Sequence, residues 1–216
     1  GLNLYDKQTC KIIPFPDTRL LDKGINYMAA DKEDNIWIGA GNTIYRCNST
    51  ASIAREYDIF GSQQNKHTIN FVYQDREGNM WVLTGGGLFK YDDKSDSFIT
   101  YPPLGKNNAP YTMCQDQSGN YWIGTWGEGL WQFFPQKEGE ECYKRHHIIN
   151  SRSGETEPIF YSMTQDNTFG YLWLLSYNEL YALQYTEEGT LVSVDIHDLV
   201  DTHMMYTKIM KDREGN

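Results

Sequence analysis

The chain has 216 residues and a formal net charge of −10, with 29 Asp and Glu against 19 Lys and Arg. That balance argues against nucleic-acid binding by this segment, since a basic stripe is needed to meet the phosphates. No apolar run reaches the roughly 18 residues expected of a membrane helix, and the 19 glycines interrupt the chain too often for long helices.

One motif orders the rest. Asp31 to Trp37, Asp75 to Trp81, Asp116 to Trp122 and the longer Asp166 to Trp173 repeat an Asp, a turn and a Trp, and Asp212 to Asn216 begins a fifth copy. The Trp-to-Trp steps are 44, 41 and 51 residues, the spacing of four-stranded propeller blades. Helical repeats share that period, but the runs between the motifs are strand-length and rich in Ile, Val, Tyr, Phe and Trp, without helical periodicity. The expected fold is all-β, a β-propeller of four-stranded antiparallel blades.

In chain order, Gly1 to Asp6 matches Gly87 to Asp92, so the chain opens on the third strand of a blade and Lys11 to Phe15 is its fourth. Residue 1 is then already inside a strand, which leaves no room for a signal peptide within this segment. Four full blades follow, at about 25–60, 69–102, 110–149 and 159–197, between partial blades at 1–16 and 205–216, all parts of one propeller domain spanning 1–216. The second blade is the ruler. Its strands are Ile69 to Gln74 (A), Met80 to Thr84 (B), Leu88 to Tyr91 (C) and Ser97 to Tyr101 (D), and Pro102 and Pro103 end it because proline donates nothing to a ladder. Met205 to Lys211 is expected to be the A strand of the last partial blade.

Asp31, Asp75, Asp116 and Asp166 read as turn-formers, each carboxylate accepting backbone N–H groups a few residues on, while Gly and Asn tolerate the left-handed conformation. Trp37, Trp81, Trp122 and Trp173 read as packing between adjacent blades, each burying on the order of 150–250 Å². These eight are structural, because a residue present once per repeat serves the repeat. The four cysteines, Cys10, Cys47, Cys114 and Cys142, lack metal-ligand spacing, so neither a metal nor a cofactor is expected. Lys144, Arg145, His146 and His147 form the densest basic patch and read as a solvated strand edge.

The repeat is best preserved from Asp116 through Trp122-Ile-Gly-Thr-Trp-Gly-Glu-Gly129-Leu-Trp131, where it resembles the two-component regulator propeller repeat. The first full blade departs from it at Ala40-Gly-Asn, and the fourth at Phe169-Gly170 and Leu174 to Glu179. The resemblance implies a periplasmic sensor region of a hybrid two-component regulator, typical of gut Bacteroidetes, with further propeller and immunoglobulin-like domains, a membrane helix and kinase modules in the same protein. It also implies an oligosaccharide as ligand, and a shift of propellers or dimer partners as the signal.

No nucleophile elbow, phosphate loop or sialidase-type arginine cluster is present, so no catalytic residue is assigned. A stand-alone protein-interaction propeller, or a carbohydrate-active enzyme of sialidase or lyase type, are the alternatives. For a binding module the B–C turns and the crossovers between blades share the variable face. Trp126 breaks the turn pattern there and offers an indole for stacking on a pyranose. Glu128, Tyr177, Asn178, Lys106, Asn107 and Arg152 complete the candidate ligand-binding set. The plainer reading is that Trp126 and Tyr177 shield blade ends while the others are solvated loop residues.

Overall fold

The computed structural model describes residues 2–48, 51–61, 67–105, 109–150, 153–177, 179–196, 198, 200 and 206–211. Contacts cluster into two compact units, Gly1–Tyr101 and Pro102–Asn216.

The first unit opens with a two-stranded hairpin, β1 (Asn3–Asp6) against β2 (Lys11–Pro14). Two four-stranded antiparallel sheets follow, each in the order of its sequence. The first is β3 (Ile25–Ala30), β4 (Ile36–Ala40), β5 (Thr43–Cys47) and β6 (Ile53–Tyr57). The second is β7 (Ile69–Gln74), β8 (Met80–Thr84), β9 (Gly87–Asp92) and β10 (Ser97–Thr100). The second unit repeats the plan with β11 (Pro110–Gln115), β12 (Tyr121–Thr125), β13 (Leu130–Phe133) and β14 (Tyr143–His146), then β15 (Ser162–Gln165), β16 (Leu172–Leu175), β17 (Leu180–Tyr185) and β18 (Leu191–Val194). Sequence-adjacent antiparallel strands need only short turns, which is why each repeat closes on itself as one blade.

The fourth blade begins within its expected bounds, and one expectation, at the last partial blade, needs correction. The A strand of the fourth blade starts at Ser162, because crossover residues before it bond to the third blade, the Phe160 amide donating to the Thr125 carbonyl at 2.9 Å. Residues 206–211 form no strand. The segment instead lies beside β15, the Ile209 amide donating to Ser162 Oγ at 3.1 Å. The fifth Asp motif at 212–216 lies outside the described residues.

Each A–B turn is built around its aspartate. In the third blade Asp116 Oδ1 accepts from the amides of Ser118 at 2.9 Å and Asn120 at 2.8 Å, and Oδ2 accepts from Asn120 Nδ2 and Trp122 Nε1, both at 2.9 Å. Asp31 and Asp75 do the same, with the indole N–H of Trp37 at 2.7 Å and of Trp81 at 2.8 Å. The turn is legible in the sequence; the bond to Trp is not, and it follows from burial. An indole N–H in a dry interface must find an acceptor, and these three rings are each 1 % exposed. Burial alone would raise the Asp31 carboxyl, but the bonds from Trp37, Asn35 and Glu33 outweigh it and lower the pKa.

The longer fourth turn keeps the device by other means. Without an Asn at the matching place, Asp166 accepts from the amides of Thr168, Phe169, Gly170 and Tyr171 as well as from Trp173 Nε1 at 2.8 Å. Trp173 is only half-buried. Strand register explains part of this. The C-strand residues facing the four Trp are Arg46, Lys90, Gln132 and Ala182, and Arg46 and Lys90 lie over their rings at 5.3 and 5.5 Å. Ala182 is too short to cover one.

Neighbouring blades in a unit are joined at the Trp layer and beyond it. Trp37 of the first blade packs edge-on against Tyr91 and Phe98 of the second, and Trp122 of the third against Tyr185 of the fourth. Asp96 Oδ1 accepts from the hydroxyls of Tyr57 and Tyr91, both at 2.7 Å, and Oδ2 from Arg55 Nε at 2.9 Å. These bonds hold Asp96 down to about 2.

The basic patch is corrected at one position. His146 is buried, edge-on to Trp122 and 3.3 Å from Gln132 Oε1. A strand alternates its faces, so His146 points into the blade interface between Arg145 and His147. Burial, then the charges of Lys144 and His147, push it down to about 4.

Replacing Asp116 by Ala should cost about 3 kcal/mol in urea unfolding, because it strands a buried indole N–H and turn amides; Asp116→Asn, which keeps an acceptor, should cost less, and equal losses would refute the hydrogen-bond account. His146 carries the pH dependence. Its folded pKa lies below the ordinary 6.5, so its contribution is fully present above about pH 6.5 and falls, by up to about 1.4 kcal/mol per unit, as pH drops towards 4. Denaturation midpoints across that range should flatten in His146→Gln.

Candidate functional site

The candidate face belongs to the second unit, where the B–C turns meet the crossover of 148–160. Its geometry begins with glycine. Gly127 and Gly129 flank Glu128, and their amides both donate to the Pro158 carbonyl, at 2.9 and 2.8 Å. Gly129 has φ +77 and a Cβ there would lie 2.7 Å from the Glu157 carbonyl, so only glycine lets the crossover backbone seat so closely. Gly124, the glycine after Trp122-Ile, is constrained likewise, since its Cβ would lie 2.6 Å from the Phe160 carbonyl.

Fixed by these contacts, Trp126 forms an isolated antiparallel bridge with Ile159, and its amide donates to Ala109 at 3.1 Å. Its indole remains 45 % exposed and packs at 5.5 Å and 45° on Tyr111, itself on the surface. Tyr177, at the matching turn of the fourth blade, is 57 % exposed. The structure separates Glu128 from Trp126. Glu128 lies 4.0 Å from Arg145 on β14, while Trp126 leans on Tyr111 of β11, the opposite edge of the same sheet. Lys106, Asn107, Arg152 and Asn178 lie outside the described residues.

Sequence reasoning missed a polar cluster beneath this face. Tyr181 Oη lies 2.8 Å from Glu179 Oε2 and 3.1 Å from Glu157 Oε2, and donates to them, while Asn150 Nδ2 donates to Glu157 at 3.0 Å and to Tyr181 Oη at 3.1 Å. The Ile159 amide reaches Glu157 Oε1 at 3.3 Å. Both glutamates are buried. Burial first, then Glu179, raises the Tyr181 phenol, which is the reverse of what a nucleophilic tyrosine needs. The cluster ties the crossover to β17. Glu179 stands where the second and third blades have Gly87 and Gly129, and that break in the glycine pattern was its one signal in the sequence. Among the described residues no group of three or more His, Cys, Asp or Glu could hold a metal ion, and the four cysteines form no disulfide.

Sheets of this order, repeated and laced turn to turn, define a β-propeller. Residues 104–127 match the family described as two component regulator propeller, and the chain carries a repeat of that family. No curated protein matches it. Among solved structures it is similar to an extracellular domain described as belonging to a hybrid two component system of B. thetaiotaomicron, at 19 % identity and TM-score 0.58, covering 100 % of this chain and 35 % of that one. A second such domain from that organism gives 20 % and 0.63, covering 89 % of this chain and 25 % of that one. Virginiamycin B lyase from Staphylococcus aureus gives 16 % and 0.65, with 89 % and 61 % covered. The chain thus spans less than two thirds of each, and at these identities the likeness is one of fold. No helix among the described residues is long and apolar enough to cross a membrane.

Tyr181→Phe, which removes the hydroxyl between two buried carboxylates, should lower stability by about 1–3 kcal/mol and speed amide exchange across 148–160. Unchanged exchange there would show that the cluster does not hold the crossover.

Proposed function

We propose that the chain forms consecutive blades of one propeller domain in the periplasmic sensor region of a hybrid two-component regulator. Its task is to bind a neutral oligosaccharide on the face of Trp126. The observation that carries this reading is the family match at 104–127, which ends beside an exposed indole that the repeat does not require. An aromatic ring offers a flat apolar surface to the C–H face of a pyranose. The net charge of −10 disfavours sulfated or uronate-rich glycans. Binding biases the arrangement of propellers, neighbouring immunoglobulin-like domains or two copies of the protein, and the kinase reads that bias through differential affinity for two states.

Likeness to a lyase supports an enzymatic alternative, and the buried Tyr181 with its two glutamates is the place such chemistry would sit. The raised phenol argues against Tyr181 as a nucleophile or base. Calorimetric titration of the complete extracytoplasmic region with neutral and anionic oligosaccharides should give saturable binding of a neutral one and an unaltered ligand afterwards. Turnover of any of them, or silence across the whole panel, would overturn the proposal.

A further inference from the structure

The strand registers align two positions in every blade that no turn motif singles out. One is the residue of the A strand just before the partner of the second residue after Trp. It falls at a register shift in the first three blades and just before β15 in the fourth. The other is the B–C turn residue four places after Trp. In the first two blades these are Asn26 with Gly41 and Asn70 with Gly85; in the third and fourth they are Tyr111 with Trp126 and Tyr161 with Tyr177. Both members change together, from a small polar pair to an aromatic pair, in two consecutive blades.

The two positions are neighbours within a blade. Asn26 Nδ2 reaches the Gly41 carbonyl at 3.5 Å and Tyr111 packs on Trp126 at 5.5 Å; in the fourth blade the register puts Tyr161, one residue before Ser162, at the position of Tyr111, and Tyr177 stands at that of Trp126. Blade cohesion does not need these rings. The first two blades hold with Asn and Gly there, and Trp126, Tyr177 and Tyr111 remain 45, 57 and 37 % exposed. Large aromatic area left in water at fixed, repeated positions is a binding feature. Tyr161 is the more anchored, its hydroxyl donating to the Tyr206 carbonyl at 2.5 Å.

Resting on the reading above, we propose that Tyr111–Trp126 and Tyr161–Tyr177 are two equivalent stacking subsites for successive sugar rings of one neutral oligosaccharide, with Tyr111 and Tyr161 as binding residues. Glu155 is exposed beside the crossover, and Glu157 and Glu179 are buried below it. These carboxylates disfavour an anionic ligand, Arg145 lying 4.0 Å from Glu128, and in this proposal the rings supply the affinity. A pair of subsites predicts length selectivity. A monosaccharide fills one, whereas a chain that bridges both gains by effective concentration.

The test titrates the complete extracytoplasmic region, by tryptophan fluorescence and calorimetry, with glucose, xylose and mannose, with cellotetraose, xylotetraose, mannotetraose and maltotetraose, with a chondroitin disaccharide and with tetramethylammonium. Two variants copy pairs the protein already uses, Tyr111→Asn with Trp126→Gly and Tyr161→Asn with Tyr177→Gly, and circular dichroism and unchanged melting verify their folding. Should the second pair disturb Tyr161's anchor, Tyr177→Gly alone, which leaves the Tyr161 hydroxyl on the Tyr206 carbonyl, replaces it. The expected result is that a tetrasaccharide binds more tightly than its monosaccharide and that either pair variant weakens it by about tenfold or more, with much of the length advantage lost. If a tetrasaccharide binds and neither pair variant alters its affinity, the subsites are wrong while the sensor reading stands. If no sugar binds, that reading fails and takes the subsites with it. Preferential binding of tetramethylammonium would assign the rings to a cation, and preferential binding of the chondroitin disaccharide would assign the face to anions; each overturns the proposal.

Discussion

Everything in this chain hangs on a carboxylate that accepts from its own turn and from an indole. The Asp oxygens close the A–B turn by taking backbone amides, and the same carboxylate takes the Trp N–H that blade packing would otherwise leave unpaired. The two needs are complementary. A buried carboxylate is costly without donors, and a buried indole N–H is costly without an acceptor. One side chain therefore couples the conformation of a turn to the packing of a large ring between blades. The fourth blade makes the point by variation, since its extra residue removes the Asn and the backbone supplies amides instead.

Beyond that shared device, the blades differ in how they lock to their neighbours. Asp96 with Tyr57, Tyr91 and Arg55 clamps the first two blades, two exposed charges closing over two buried tyrosines. The third packs on the fourth through Trp122 and Tyr185; a relay from Asp116 through Asn120 and Gln132 to His146 runs inside the third, and the Glu157–Tyr181–Glu179 cluster ties the crossover to the fourth. A repeat fold tolerates such exchange because each interface is a local sum of contacts. Substitutions need only satisfy their own neighbours.

The second unit spends that freedom on its surface. Glycines at 124, 127 and 129 draw the crossover onto the blade, and the backbone bonds that result hold Trp126 at one height. A rigid scaffold presenting aromatic rings through short turns is how a propeller face becomes selective without moving parts.

The strands of the second blade and the role of the Asp turns were legible in the sequence, because a residue recurring once per repeat reports a local rule of turn geometry and alternation. Trp126 and Tyr177 were legible as departures from that rule. Their partners were not. Tyr111 and Tyr161 sit in or beside A strands that read as ordinary β-sequence, and only register places them against the turn residues. Glu128 reads as Trp126's neighbour, yet one residue along a turn sends it towards the other edge of the sheet. His146 reads as part of a charged edge and is buried, since alternation sets its face but packing decides what covers it. Local sequence by itself determined the blades, their turns and their order. Which side chains meet across strands and crossovers was decided by tertiary structure, because those contacts join residues tens of positions apart whose proximity no local pattern encodes.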